Sequence, residues 1–287
     1  MGRVKFSVKL ILLKFATPFK IGNGENYIDA ITIYRALIKA LSFLGEPFDD
    51  IINGRVKFSS TFPYKGELFI KIPFREVKCQ DRKKEKEIKS IQYVSLKTYE
   101  EIEPPYVMNC EGDKIIIQGK NKSRELRRDE ILESYGKFGV DYRNRMDRLF
   151  SSSDPYSMPY FMPAGQLAFL SSTWNNKLEE ALKLLEMTGI GGDRNLGYGK
   201  FKVVGYKDID VNMNYEYKYA TGRAYTESEF KAERFDATPI IGGDIQINLV
   251  SQLLLLPLGS LVKDSKRIVV GDTNSIRNTV IIDPILL

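Results

Sequence analysis

Residues 188–201 read TGIGGDRNLGYGKF, and this glycine-rich stretch lies between a predicted helix and a predicted strand. Five of the residues from 189 to 199 are glycine, which lacks the side-chain bulk that would keep backbone N–H groups away from an anion. Arg194 and Lys200 add positive charge, and Tyr198 adds an aromatic face on which a base can stack. A tight turn between helix and strand is the plain structural alternative. The stretch is neither a Walker A loop, whose second glycine is followed by Lys and then Ser or Thr, nor a Rossmann loop, which opens a helix after a strand.

The elements around this loop alternate between strands and helices. Residues 177–188 carry leucines at helical spacing and end at Gly189, a good helix stop. Residues 166–171 and 200–206 have the apolar content of strands. The pattern therefore predicts a strand, a helix, the loop and a second strand.

A similar order opens the chain. Polar and apolar residues alternate from residue 3 to residue 10, which predicts a half-buried strand and breaks any signal-peptide core. Asp29 can cap an amphipathic helix over residues 30–44, and strands are predicted over 56–62 and 67–74. The two halves together predict an α+β fold of tandem ferredoxin-like domains, similar to RNA-recognition domains.

Breakers near residues 151–155 indicate the domain boundary, so we expect one domain over residues 1–145 and a second over 146–287 that carries the glycine-rich loop 189–200. The first domain contains charged insertions between about residues 75 and 145, with stretches over 75–89 and 114–148. Because so few of their residues are apolar, we expect flexible segments or an arm. Ordinary exposed loops and a surface helix are the alternative.

Composition removes several classes of chemistry. The 287 residues include no histidine, which excludes serine–histidine triads, cysteine–histidine pairs and histidine-ligated zinc. The two cysteines, Cys79 and Cys110, do not form a CxxC motif, so neither a structural zinc nor a redox-active pair is expected, and a reducing cytoplasm is the simple interpretation. We expect no catalytic residue, no metal and no cofactor.

The net charge of +6 permits a polyanionic partner without requiring one. Residues 245–262 contain no charge, but polar residues, a proline and a glycine interrupt them. We interpret them as buried strand, and we expect no membrane contact.

A family resemblance narrows the function. The loop resembles the glycine-rich loop of the RAMP superfamily of CRISPR proteins. Four further segments resemble, in order, motifs of its Csm subunit 4 family: residues 14–22 (KFATPFKIG), 27–36 (YIDAITIYRA), 59–65 (SSTFPYK) and 140–148 (VDYRNRMDR). That family caps the 5′ end of the guide RNA in type III-A interference complexes. The resemblance implies a non-catalytic subunit that holds the single-stranded 5′ tag of the crRNA and docks onto the large polymerase-like subunit and the backbone RAMP subunit.

The resemblance and the charge pattern together nominate RNA-binding residues. Where the family often has histidine this chain has Lys20, a permanent cation. A strip of arginines near residue 145 is a second candidate, with a salt-bridged helix face involving Asp141 and Asp147 as the alternative. A bulky acid at Gly191 or Gly197 is expected to weaken RNA binding and leave the fold largely intact. The full set is Lys20, Arg143, Arg145, Arg148, Gly191, Gly192, Arg194, Gly197, Tyr198, Gly199 and Lys200.

Two other functions stay open. A RAMP endoribonuclease without histidine would need a metal and Asp29, although Asp29 also suits a helix cap. A scaffold that contacts only proteins would use the glycine-rich loop as a turn. Superfamily members often carry an arm that wedges into the guide–target duplex, and Met108 is a candidate for its tip, with a buried strand as the alternative.

Overall fold

The computed structural model describes residues 4–21, 25–147, 152–213, 215–232, 236–240, 251–270 and 279–287. The first part of the chain forms β1 (Val4–Phe15), α1 (Ala30–Phe43), α2 (Asp49–Ile52), β2 (Phe62–Tyr64) and β3 (Phe69–Lys71). The predicted first strand and the helix capped by Asp29 are confirmed. The strand predicted over 56–62 is wrong except at its last residue, where β2 begins, and the strand predicted over 67–74 shortens to β3. Residues 59–61 form no regular ladder because their N–H groups go to three different segments, at the carbonyls of Leu170, Thr221 and Ile28.

The charged insertion folds into a unit of its own. It contains β4 (Arg75–Lys78), α3 (Arg82–Ser90), β5 (Tyr93–Ser95), α4 (Leu96–Glu101), β6 (Tyr106–Glu111), β7 (Lys114–Gln118), β8 (Ser123–Glu125) and β9 (Ile131–Leu132). Strands β4, β6, β7 and β8 form one sheet, in that order, and β3, β5 and β9 form another. The expectation of a flexible segment here is wrong, because apolar side chains such as Ile88 and Ile117 are fully buried beneath the charged exterior.

Cys79 and Cys110 form a disulfide with their Cα atoms 5.3 Å apart. Cys79 follows β4 and Cys110 lies in β6, so the bond joins two neighbouring strands. Nothing in the local sequence indicates this pairing, because the parallel pairing of β4 with β6 brings two residues together that stand 31 positions apart in the chain.

A long hairpin projects after the insertion unit. Strands β10 (Gly136–Asp147) and β11 (Ser152–Pro163) pair with each other over their whole length. At its base, Phe19 and Phe161 exchange two backbone hydrogen bonds of 2.9 Å. Opposite Phe161, Phe138 is 58% exposed, and further along β10 Tyr142 is 80% exposed, so the hairpin itself is the arm-like feature of the fold.

The remaining elements of the first sheet come from the second half of the chain: β12 (Gln166–Ser171), α5 (Asn176–Thr188) and β13 (Phe201–Met213). The sheet order is β13-β1-β12-β2, all antiparallel, with α1 and α5 packed together, which is the ferredoxin-like arrangement. The predicted α+β ferredoxin-like class is confirmed. The boundary at residues 145 and 146 is wrong for this unit, because β1 pairs with β13 from Val4–Met213 to Phe15–Phe201 and the second half completes the first sheet.

The last part of the chain is built from short strands: β14 (Lys218–Tyr219), β15 (Phe230–Lys231), β16 (Asp236–Ile240), β17 (Ser251–Leu255), β18 (Leu261–Val262), β19 (Ile268–Val270) and β20 (Val280–Ile282). The predicted buried strand over 245–262 appears as β17 and β18, while residues 245–250 lie outside the described residues. No helix in the described part of the chain is long and apolar enough to span a membrane.

Strand β1 runs between two hydrophobic cores. Leu10 and Leu12 face the core shared with the insertion unit and the C-terminal strands, whereas Ile11 and Leu13 face the core beneath α1 and α5. Side chains alternate across a strand, so a strand this central is apolar on both faces. This placement holds the loop after β1 and the loop before β13 side by side at one edge of the helical layer.

Candidate functional site

The glycine-rich loop packs tightly against the segment that follows β1. A Cβ atom at Gly199, where φ is +72°, would lie 1.9 Å from the carbonyl oxygen of Ile190. A Cβ atom at Gly191, where φ is +94°, would lie 2.7 Å from the carbonyl oxygen of Lys20. Glycine is therefore required at both positions for close approach of two backbones as well as for conformation. The expectation that Gly191→Glu leaves the fold intact is wrong for this reason.

Several backbone amides of the loop are already bonded within the protein. Gly192 donates to the Lys20 carbonyl at 2.9 Å, and Gly199 donates to the Pro18 carbonyl at 2.7 Å. The Lys200 amide donates to the Thr17 hydroxyl at 2.9 Å. These three N–H groups are not available to an anion, which contradicts the expectation that the loop's amides bind one. Anion contact at these positions has to come from side chains.

Five side chains from three segments meet beside the loop and form what we call the polar cluster: Lys20, Asp141, Arg143, Asp193 and Tyr198. Lys20 Nζ donates to Asp141 Oδ2 at 3.0 Å and to Asp193 Oδ2 at 3.2 Å. The Arg143 guanidinium contacts the same two oxygens, with Nη2 2.8 Å from Asp141 and Nη1 3.0 Å from Asp193. The Tyr198 hydroxyl donates to Asp141 Oδ2 at 3.1 Å, and Lys20 Nζ lies 4.0 Å from the centre of the Tyr198 ring. The cluster joins the segment after β1, strand β10 and the glycine-rich loop.

The charges in the polar cluster cancel. Hydrogen bonds from Lys20 and Arg143 lower the pKa of Asp141 to about 2. Burial alone would lower the pKa of Lys20, whose side chain is 3% exposed, but hydrogen bonds to Asp141 and Asp193 outweigh burial and raise it. The cluster thus holds two cations and two anions at neutral pH, and Lys20 and Arg143 are already neutralised by carboxylates.

A groove of about 660 Å³ lies between α1, α5 and the glycine-rich loop. Lys39, Arg194 and Lys200 contribute positive charge to its wall, together with apolar side chains such as Leu184. In the part of the chain that the structure describes, no carboxylate lies within ion-pair distance of these three cations. Arg194 makes only a long contact of 3.5 Å to the Gly189 carbonyl, and Lys200 Nζ contacts the Met187 carbonyl. The groove therefore brings three cations that have no carboxylate partner among the described residues to one concave surface, which Asp193 also lines.

The predicted site residues divide between these two features. Lys20, Arg143 and Tyr198 meet in the polar cluster, whereas Gly191, Arg194 and Lys200 line the groove. Gly197 stands between them at the edge of the loop, with φ at +90° and no other atom within 4 Å of the position that a Cβ atom would take.

The arginine strip lies on a strand and not on a helix. Arg143 and Arg145 both belong to β10, and Arg143 does pair with Asp141 as the salt-bridge alternative predicted. The side chain of Arg145 and all of Arg148 lie outside the described residues. Through Arg143 the strip and the loop form one site.

Sequence reasoning missed two members of this site. Lys39 lies in α1, and nothing in the local sequence marks it as a neighbour of a loop about 150 residues later. Asp193 stands in the left-handed region with φ at +55°, where non-glycine residues are uncommon. The sequence signal that could have identified Asp193 is its position between two glycines and an arginine, which is typical of a turn.

Asp29 and Met108 have structural positions. Asp29 caps α1 through the amide of Ile31, and its other oxygen accepts a hydrogen bond of 2.8 Å from Arg223, with both side chains buried. Met108 is completely buried in β6, so it is not the tip of an arm. Among the described residues, no three Cys, Asp or Glu side chains are grouped so that they could hold a metal ion.

An antiparallel β13-β1-β12-β2 sheet, two helices on one face and a glycine-rich loop before its last strand define an α+β protein of ferredoxin-like architecture. A model of the RAMP superfamily matches residues 22–202, more than half of the chain, and the chain belongs to this superfamily. Its fold is the RAMP fold, in which ferredoxin-like domains occur in tandem.

Solved structures match almost the entire chain. A chain from the crystal structure of the Csm3-Csm4 subcomplex in the type III-A CRISPR-Cas interference complex is 17% identical, with a TM-score of 0.56 and coverage of 97% of this chain and 98% of that one. A chain from the Csm1-Csm4 cassette in complex with pppApA is 14% identical, with a TM-score of 0.56 and coverage of 98% and 96%. A chain of a type III-B Cmr-beta complex bound to target RNA is 12% identical, with a TM-score of 0.50 and coverage of 88% and 85%. No curated protein matches the sequence.

Proposed function

We propose that this chain is a non-catalytic, RNA-binding assembly subunit of a type III-A CRISPR effector complex, and that it holds the 5′ tag of the crRNA in the cytoplasm. The observation that carries the proposal is the groove beside the glycine-rich loop, which Lys39, Arg194 and Lys200 line without carboxylate partners in the described part of the chain. The similarity of the whole chain to members of Csm3-Csm4 and Csm1-Csm4 assemblies supports it.

The chemistry of the groove suits a single-stranded RNA. Phosphates require cations, and splayed bases require flat apolar or aromatic surfaces. Arg194 and Lys200 supply the cations. Phe43, which is 80% exposed, lines the same groove as an aromatic surface, and the half-buried ring of Tyr198 belongs to the same loop as the two cations. A net charge of +6 adds a longer-range attraction for RNA.

The proposed protein partners are a large polymerase-like subunit and a backbone RAMP subunit, in line with the Csm1-Csm4 and Csm3-Csm4 assemblies that the chain resembles. Exposed apolar side chains at several places offer contact surface for them. Phe43 at the end of α1 is 80% exposed, Met187 at the end of α5 is 73% exposed, and Tyr142 on the hairpin is 80% exposed.

The burial of Asp29 favours a binding subunit over a nuclease. A catalytic metal needs a carboxylate that reaches both the ion and the RNA. The carboxylate of Asp29 is instead committed to the first turn of α1 and to Arg223. Without histidine, no imidazole can act as the base in its place.

RNA binding by two double variants of the full chain tests the proposal. Arg194→Ala with Lys200→Ala removes two cations from the groove, and Lys78→Ala with Lys83→Ala removes two exposed cations from the insertion unit. Fluorescence anisotropy with a labelled guide RNA at fixed salt is expected to show the groove variant binding roughly tenfold to a hundredfold more weakly, and the control within about threefold of wild type. Equal losses in both variants, or no binding by the wild type, would contradict the proposal.

A further inference from the structure

Asp193 separates the groove from the polar cluster. Asp193 lines the groove together with Arg194 and Lys200. On its other side, its Oδ2 atom accepts hydrogen bonds from Lys20 and Arg143. A phosphate held in the groove would therefore meet the carboxylate of Asp193 before it met Lys20 and Arg143 behind it.

The two carboxylates of the polar cluster are held unequally. Asp141 Oδ2 has three donor side chains within 3.1 Å: Lys20, the two-pronged guanidinium of Arg143, and Tyr198. Asp193 Oδ2 has only two, Lys20 at 3.2 Å and Arg143 at 3.0 Å. Asp193 also adopts a left-handed backbone conformation, which is uncommon for a residue other than glycine. Asp193 is thus the more easily displaced of the two.

Resting on the proposed function, we propose that Lys20 and Arg143 form a phosphate-binding site that Asp193 occupies in the RNA-free chain. An RNA phosphate that enters from the groove takes the place of the Asp193 carboxylate, while Asp141 continues to orient both cations. Arg143 contacts Asp193 through Nη1 alone, while its Nε and Nη2 atoms stay on Asp141. One phosphate oxygen can therefore take the position of Asp193 Oδ2 without rearranging Arg143.

The exchange gives the site a threshold for binding. Any anion that enters has to compete with a carboxylate already in place, and the local charge is zero until Asp193 leaves. A phosphate that is also held by Arg194 and Lys200 competes best, because it arrives with its other oxygens already bound. The ion pair between the loop and β10 would then be replaced by a phosphate bridge between the same two elements.

Asp193→Asn is the variant that tests the exchange. Asparagine adopts the left-handed conformation at least as readily as aspartate, so the backbone of the loop is retained while the competing charge is removed. Asp208→Asn is the matched control, since it changes the net charge equally at an exposed residue of β13 that pairs with Lys9. Thermal unfolding of each full-chain variant checks that the fold is kept.

Binding of a labelled single-stranded RNA of about ten nucleotides provides the first measurement. Asp193→Asn is expected to bind RNA roughly fivefold to tenfold more tightly than wild type, and Asp208→Asn within about twofold. If wild type binds RNA and Asp193→Asn binds no more tightly than Asp208→Asn, the exchange is refuted and the proposed function stands.

A second measurement does not depend on RNA. The side-chain NMR signal of Lys20 in ¹⁵N-lysine-labelled protein, assigned with Lys20→Arg, is followed while inorganic phosphate is added. The signal is expected to shift in Asp193→Asn at lower phosphate concentrations than in wild type. If the Lys20 signal does not shift with phosphate in either protein, the proposed exchange of Asp193 for phosphate is refuted. A shift in Asp193→Asn without RNA binding by the wild type supports the phosphate site and refutes the proposed function.

Discussion

At the level of single residues, Gly199 holds the glycine-rich loop against the chain that follows β1. Its amide donates to the Pro18 carbonyl, and its missing side chain lets the Ile190 carbonyl approach. Gly197, in the same loop and with a similar positive φ, faces open space. A side chain at Gly197 would therefore strain only the backbone conformation, whereas a side chain at Gly199 would strain the conformation and also overlap a neighbouring carbonyl.

We predict that Gly199→Ala lowers the free energy of unfolding by about 3 kcal/mol or more, because a methyl group would overlap the Ile190 carbonyl as well as strain φ. Gly197→Ala carries the strain alone and should cost only about 1 kcal/mol. Urea unfolding of both variants checks the difference. Similar losses at the two positions would show that the loop is not packed as described.

Asp141 makes the stability of the chain depend on pH. Its pKa in the folded chain is about 2, below the value of roughly 3.9 for an unfolded aspartate. The ion pairs of Asp141 therefore stabilise the fold above about pH 4, and this contribution is lost as the pH falls towards about 2.

We expect Asp141→Asn to lower the free energy of unfolding at about pH 7, and the difference from wild type to shrink towards zero near pH 2. Urea unfolding at several pH values measures the difference, with Asp208→Asn as an exposed ion-pair control that changes little at any pH. A difference that does not depend on pH would mean that Asp141 acts through packing and not through charge.

At the level of secondary structure elements, the two main helices begin with different kinds of cap. Asp29 caps α1 and also pairs with the buried guanidinium of Arg223. Asn175 caps α5 by accepting a hydrogen bond from the Leu178 amide and is exposed. Asp29 therefore stabilises the start of α1 and also ties the helix to the segment that contains Arg223.

We predict that Asp29→Ala lowers the free energy of unfolding by about 3 kcal/mol, because it removes the cap and leaves Arg223 with Glu25, at 3.7 Å, as its remaining carboxylate. Asn175→Ala should cost about 1 kcal/mol, the value of a cap alone. Thermal or urea unfolding compares the two variants. Equal effects would indicate that the Arg223 ion pair contributes nothing to stability.

At the level of the whole molecule, the central sheet joins distant parts of the sequence. Strand β1 lies between β12 and β13, so a fragment of residues 1–145 lacks both neighbours of its longest buried strand. We predict that this fragment does not fold alone, whereas the chain cut at the same position after folding stays associated. Circular dichroism and NMR of the fragment check the prediction. A fragment with dispersed signals and cooperative unfolding would contradict the sheet order described here.

Local patterns in the sequence predicted local structure well. The cap at Asp29 and the stop at Gly189 placed their helices within one residue, and the alternation placed the start of β1 within one residue but not its end at Phe15. They did not predict which strands pair, because both halves of the chain carry the same kind of pattern and pairing depends on contacts between residues far apart in sequence. The domain boundary failed for that reason.

The candidate site shows the same division. Lys20, Arg143 and Tyr198 were selected by charge, aromaticity and family resemblance, and the structure brings them together. The polar cluster also contains two carboxylates that neutralise the cations, and the loop's amides are bonded internally. Neither fact is visible in sequence, since both depend on how three separate segments pack.

The central claim is that the glycine-rich loop and its groove contact the guide RNA, and crosslinking tests it most directly. The chain is assembled with its complex on a guide RNA, irradiated, digested and analysed by mass spectrometry. We predict RNA adducts within residues 188–201, with Tyr198 among the modified residues. Adducts confined to the insertion unit at residues 75–132, or an RNA-containing complex that lacks this chain, would contradict the account.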